Sequence, residues 1–125
     1  MITSGAVYDK EANCALLSFK GFLTTQEFVD IAEQGHSLRL SNNSKKQLND
    51  IEDMAVLTQD VQKYLKEKWF PKAVETGLKF FAFVVPKNII GKMSMKGANT
   101  EVDKTGIEIQ YFDNLPAAKK WLKSK

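Results

Sequence analysis

The sequence predicts an α/β domain: a mostly parallel sheet with one antiparallel strand at an edge and helices packed on it. The first observation behind this is the run Phe80-Phe81-Ala82-Phe83-Val84-Val85, apolar at every position, which suits a strand covered on both faces. The second is alternation. Strand-length apolar runs take turns with segments whose apolar residues repeat at helical spacing, in the order β-β-α-β-α-β-α-β-α. The third is size: 125 residues, 43% apolar and 26% charged, are the dimensions of one ordinary domain over residues 1–125.

The elements follow in order. Ala6–Asp9 and Cys14–Lys20 are strand candidates, and the turn residues Asp9 to Asn13 between them predict a hairpin. Thr24-Thr25-Gln26-Glu27 reads as a capping box, in which Thr24 accepts from the helix and Glu27 returns the bond. Phe28, Ile31, Ala32, Gly35 and Leu38 then recur at helical spacing until Ser41-Asn42-Asn43-Ser44 ends the helix. Lys45–Ile51 is a short strand. Thr58 or Gln59 opens a second helix, with Val61, Tyr64, Leu65, Lys68 and Trp69 on one broad face. Pro71 predicts a kink at Phe70 and a short restarted helix that Gly77 terminates.

Leu78–Val85 is the central strand, stopped by Pro86. Asn88 can cap a third helix carrying Ile89, Ile90, Met93 and Met95, weakened by Gly91 and Gly97. The polar stretch Asn99–Gly106 reads as a loop. Ile107–Phe112 is the last strand, with Ile107, Ile109 and Tyr111 on one face, and Asp113 or Asn114 caps a final helix carrying Ala117, Ala118, Trp121 and Leu122. Parallel strands joined by helices demand right-handed crossovers, which leaves the first strand antiparallel at an edge.

Composition narrows the function. A net charge of +3 is too small to demand nucleic acid, and none is expected as a partner. One Cys and one His exclude a disulfide framework and a Cys/His zinc site. Met1–Gly5 lacks the features of a signal peptide, no apolar run is long enough for a bilayer, and Cys14 reads as a reduced, buried thiol. A cytoplasmic protein without a transmembrane span is expected. The basic C-terminal residues complement a helix dipole.

The element order, with Ala82-Phe83-Val84-Val85-Pro86-Lys87 and the stretch Tyr111–Leu122, resembles small stand-alone bacterial STAS-like domains. These are relatives of the anti-sigma-factor antagonist, in a superfamily shared with the CRAL-TRIO lipid-transfer proteins. Trp69-Phe70-Pro71-Lys72-Ala73 followed by Gly77 adds to the likeness, which spans roughly residues 6–123. The resemblance implies a STAS-like fold and a role in binding. It does not extend to the phosphorylated turn of the antagonists. Asp50-Ile51-Glu52-Asp53 resembles the strand end, but Val56-Leu57-Thr58-Gln59-Asp60 has neither the serine nor the glycine. Thr58, the nearest hydroxyl, is a helix cap beside Glu52, Asp53 and Asp60, so phosphorylation is not expected there.

Catalytic groups are not evident. His36 has no recognisable triad motif, nothing near Cys14 in sequence would lower its pKa, and there is no phosphate-binding glycine loop. Asp50, Asp53 and Asp60 are the weak metal candidates, read first as a solvated, helix-capping loop. No cofactor is expected.

The features that point to binding are apolar. Phe22, Trp69, Phe70, Ile89, Ile90, Met93 and Met95 lie at element ends or on a helix with a weak polar face. Such residues can line an adaptable pocket or an interface, with Lys87 and Lys92 at the rim to hold an anion. The expected function is a non-enzymatic binding module acting on a protein partner, on a second copy as a homodimer, or on a small lipid or acyl anion. The alternative is a lipid or fatty-acid carrier with an enclosed pocket, and last a carboxylate-loop metal enzyme.

Overall fold

Short-range signals start and stop nearly every element of the computed structural model, which describes residues 4–54, 58–86, 100–102 and 106–125. The hairpin of β1 (Gly5–Asp9) and β2 (Cys14–Ser18) turns through Asn13 at φ 53°, a left-handed conformation asparagine tolerates. Helix α1 (Thr25–Ser41) begins with the full capping box. The Glu27 amide donates to Thr24 Oγ1 at 3.1 Å, and the Thr24 amide donates to Glu27 Oε1 at 2.9 Å. Strand β3 (Lys46–Asp50) follows, then α2 (Gln59–Tyr64), capped by Thr58, whose hydroxyl accepts from the Val61 amide.

Around Pro71 the short helix expected before Gly77 is present, and the junction ahead of it takes a particular form. The backbone stays right-handed helical through Tyr64, Leu65, Trp69 and Phe70. A π-turn (Leu65–Trp69), closed by the Phe70 amide on the Leu65 carbonyl, leads into α3 (Phe70–Glu75), with Pro71 in its first turn. The wider turn takes up the disruption that a proline brings to an i→i−4 ladder. It also leaves Lys68 exposed, off the face predicted for it. Gly77, at φ +86°, then turns the chain into β4 (Phe80–Val84).

Beyond β4, the predicted helix with Ile89, Ile90, Met93 and Met95 lies outside the described residues. The stretch predicted as a loop contains a strand, β5 (Thr100–Val102), antiparallel to β6 (Glu108–Phe112). A three-residue edge strand needs only backbone partners on one side, so it leaves little hydrophobic pattern to read. Helix α4 (Leu115–Lys123) closes the chain, capped by Asn114, whose Oδ1 accepts from the Ala117 amide at 2.8 Å.

The sheet runs β1-β2-β3-β4-β6-β5. Strands β2, β3, β4 and β6 are parallel, and the antiparallel β1 and β5 form the edges. Because β2, β3 and β4 lie side by side in chain order, right-handed crossovers put α1 and the α2–π–α3 layer on one face. There Leu17, Phe81 and Ile109 of the sheet meet Phe28, Ile31, Val61 and Trp69 of the helices. The opposite face, with Cys14, Leu48, Ala82 and Val84, packs on Ala118 and Leu122 of α4. The α/β class and the antiparallel first edge are as predicted. Among the described residues no helix is long and apolar enough to cross a membrane.

Candidate functional site

A pocket of about 190 Å³ lies between the helical layer and the face of β3 and β4 that carries Asn49, Phe81 and Phe83. Strand alternation supplies its sheet side. Residues 49, 81 and 83 point toward the helices because side chains two apart share a face, and Asn49 pairs in register with Phe83. Phe81 and Phe83 stack at 4.3 Å, and Phe83 stacks in turn on Tyr111 of β6 at 5.3 Å. Helix α1 contributes Phe28 and, one turn on, Ala32, whose small side chain leaves room over the strands.

The π-turn supplies the remaining wall. It presents Leu65 and Trp69, and Phe70 directly after them, to the same space. Trp69 and Phe70 meet edge to face, with ring centres 5.1 Å apart at 86°. The indole N–H of Trp69 donates to the Ala32 carbonyl at 3.2 Å, which fixes the ring against α1. Phe28, Ala32, Trp69 and Phe81 are buried and form the floor, while Leu65, Phe70 and Phe83 are half-buried, as are Ile51 and Met54 past the end of β3. From the outside, Glu33 of α1 ties the helices together by accepting from Tyr64 and Lys72. Burial works against the Glu33 carboxylate, but those bonds hold its pKa below the ordinary value.

Asn49 is the polar residue among the described lining, and it is 8% exposed. Behind it lies a buried network. Arg39 of α1, fully buried, donates from Nε to Gln47 Oε1 at 2.8 Å and from Nη1 to Thr76 Oγ1 at 3.0 Å. Gln47 Nε2 donates to Asn49 Oδ1 at 3.0 Å. A third guanidinium contact reaches His36 Nδ1 at 2.5 Å. Arginine can only donate, so Nδ1 carries a lone pair and the proton of the neutral ring sits on Nε2. Burial holds His36 down to about 4, with the Arg39 charge adding to it. Burial also brings Arg39 down to about 10, so it is still a cation at neutral pH. No ion pair to Arg39 occurs among the described residues; amide, hydroxyl and imidazole acceptors surround the charge.

Of the predicted binding residues, Trp69 and Phe70 come together in this pocket. Phe22 does not: it is 75% exposed and stands outside the described lining. Lys87, Ile89, Ile90, Lys92, Met93 and Met95 lie outside the described residues. The acidic loop folds around a lysine. Lys20 Nζ lies 3.4 Å from Asp50 Oδ2 and 3.2 Å from Asp53 Oδ2, and although burial opposes it, these carboxylates hold the ammonium pKa above its ordinary value. Asp60 sits apart in the first turn of α2, and no group of three acidic, Cys or His side chains among the described residues could hold a metal ion. Burial, with Asp9 adding, pushes the Cys14 thiol up to about 12.

Gln47 and Asn49 are not among the predicted site residues, yet the sequence carries a signal for them. A parallel strand inside a sheet is ordinarily apolar on both faces, whereas Lys46-Gln47-Leu48-Asn49-Asp50 is polar at every position but Leu48. Once β3 is placed between β2 and β4, its two amides must face either helices or a site. Comparison of the chain with protein-family models, curated proteins and solved structures gives no match.

Proposed function

We propose that this protein is a non-enzymatic binding domain that takes one small, largely apolar molecule into the pocket between α1, the π-turn and the β3–β4 face. The observation that carries the reading is the pocket itself: about 190 Å³, aromatic on its floor and walls, with one amide among its described lining. An apolar cavity of ~150 Å³ already holds benzene, whereas drug-sized ligands occupy upwards of ~300 Å³. The size therefore favours a one-ring molecule or a short acyl chain over a long lipid. The chemistry of the other groups supports binding over catalysis. The Cys14 thiol is buried and raised, and His36 is held neutral with Nδ1 committed to Arg39. Both are poorly suited to act as nucleophile or base.

Native mass spectrometry of the freshly purified protein, followed by fluorescence titration with one-ring probes in a Trp121→Phe background, tests the reading. That substitution isolates the emission of Trp69, because Trp121 packs on the far side of the sheet with Phe80 and Phe112. A small adduct present only in the native spectrum, or a saturable change in Trp69 emission, is expected. A clean spectrum together with no response to any one-ring probe overturns it.

A contact module of STAS-like type, acting on a protein partner or a second copy, is the second reading. It is favoured by the exposure of Phe22, which is 75% exposed. Sedimentation of the wild type against Phe22→Ser tests the self-association form, which requires a dimer that the substitution weakens.

A further inference from the structure

The polarity of the buried network assigns a chemistry to the pocket's ligand. Arg39 cannot accept a hydrogen bond, so the side chain of Gln47 must turn its oxygen toward Arg39 Nε, at 2.8 Å. That leaves Gln47 Nε2 to face Asn49, and Asn49 must answer with Oδ1, at 3.0 Å. Each amide is oriented by the one before it, beginning from a group whose polarity is fixed. The end of the chain is Asn49 Nδ2, a donor on a side chain that is 8% exposed and lines the pocket. Among the described residues no hydrogen bond joins Nδ2 to a partner, and Nδ2 is not one of the fully sealed polar atoms that lack one. On a side chain that lines the pocket, this donor is within the reach of a molecule bound there.

We infer that the ligand carries a carbonyl or carboxylate oxygen that accepts a hydrogen bond from Asn49 Nδ2. This rests on the pocket being a binding site, and it goes further by fixing the polarity of the molecule that fills it. A buried donor in an otherwise apolar pocket selects strongly, because a ligand without an acceptor strands it. The Arg39 charge works in the same sense. It polarises both amides toward the pocket, and an anionic oxygen at Nδ2 would give this buried cation a counter-charge through two amides and three hydrogen bonds. A donor-bearing ligand meets the wrong partner, and a pure hydrocarbon meets none.

Cumene, acetophenone and benzoate share a ring and a three-atom substituent and differ in the acceptor, so they serve as the probes. Their affinities are measured by titration of Trp69 emission in the Trp121→Phe background, with Asn49 intact and with Asn49→Leu. Asn49→Leu should weaken acetophenone and benzoate by about tenfold or more and leave cumene unchanged or tighter. In the wild type, the Asn49 side-chain amide signals in a ¹⁵N–¹H spectrum should move with acetophenone and benzoate and hold still with cumene. That second measurement decides the matter if Asn49→Leu does not fold. Equal effects of the substitution on all three probes, or Asn49 signals indifferent to the acceptor, overturn the inference while the pocket reading stands. If the wild type binds none of the three, the pocket reading fails with it.

Discussion

A Cβ placed on Gly35 would lie 3.0 Å from Gln47 Oε1 and 3.2 Å from both methyls of Leu17. Gly35 is thus the point at which α1 settles onto β2 and β3, and the contact falls on the amide that Arg39 orients. Alanine would add about 1 kcal/mol of helix propensity. Against this, overpacking costs about 1–3 kcal/mol, and Gln47 Oε1 cannot give way cheaply while Arg39 holds it. Gly35→Ala is expected to destabilise by about 1 kcal/mol net, read from urea midpoints. A gain in stability would mean that the network is softer than its geometry implies. His36 gives the network a pH dependence. Buried against Trp69, beside Arg39, with Glu33 and Lys72 as the other nearby charges, it has a folded pKa near 4 and an ordinary unfolded value of 6.5. Above pH 6.5 both states are neutral, and its contribution is fully present. As pH falls from 6.5 toward 4 the unfolded chain takes up the proton and the folded one does not, so stability is lost across that window. His36→Gln, whose Oε1 can accept from Arg39 without titrating, should flatten the urea midpoint between pH 6.5 and pH 5 while the wild type declines. A wild-type midpoint flat over that range would place the imidazole in a less buried setting.

The elements show how unevenly a sequence announces its structure. Signals confined to a few residues were readable: the Thr24–Glu27 box, the caps at Thr58 and Asn114, and the doubly covered strand Phe80–Val84. What depends on several elements meeting was not. The strand Thr100–Val102 exists because β6 offers it an edge, and the π-turn exists where Pro71 follows two aromatic residues that are both drawn toward the core. Neither leaves a periodicity of its own. The pocket is legible only in part for the same reason: Trp69 and Phe70 stand out in the sequence, whereas Asn49 and Ala32 matter only through their neighbours. Trp69 is the residue on which the helical layer turns. Trp69→Phe would delete its hydrogen bond to the Ala32 carbonyl and part of its volume beside Phe81. A loss of about 2–3 kcal/mol is expected in urea unfolding. The vacated space should also let a two-ring probe such as naphthalene bind more tightly relative to cumene than it does in the wild type. An unchanged preference would show that the layer collapses onto the void.

At the scale of the whole molecule, the pocket is a departure from interior packing. Protein cores are close-packed, and about 190 Å³ of apolar space beside the Trp69–Phe81 cluster forgoes contacts that a larger residue on α1 would make. Ala32→Leu adds three carbons to the side chain that lines that space. Burying them is worth about 0.8 kcal/mol each, less the rotamer freedom of leucine and an imperfect fit, so a stability gain of about 1 kcal/mol is expected. If the space serves a ligand, the gain comes with a loss that only a binding experiment reveals. The wild type in acetophenone at a hundred times its dissociation constant should be stabilised by about 2.7 kcal/mol through mass action, and Ala32→Leu by nothing. If the space is a mere packing defect, Ala32→Leu is still stabilised, but the wild type gains nothing from the probe. Thermal melts of both proteins with and without acetophenone separate the cases, because the two readings agree on the empty protein and differ only on the loaded one.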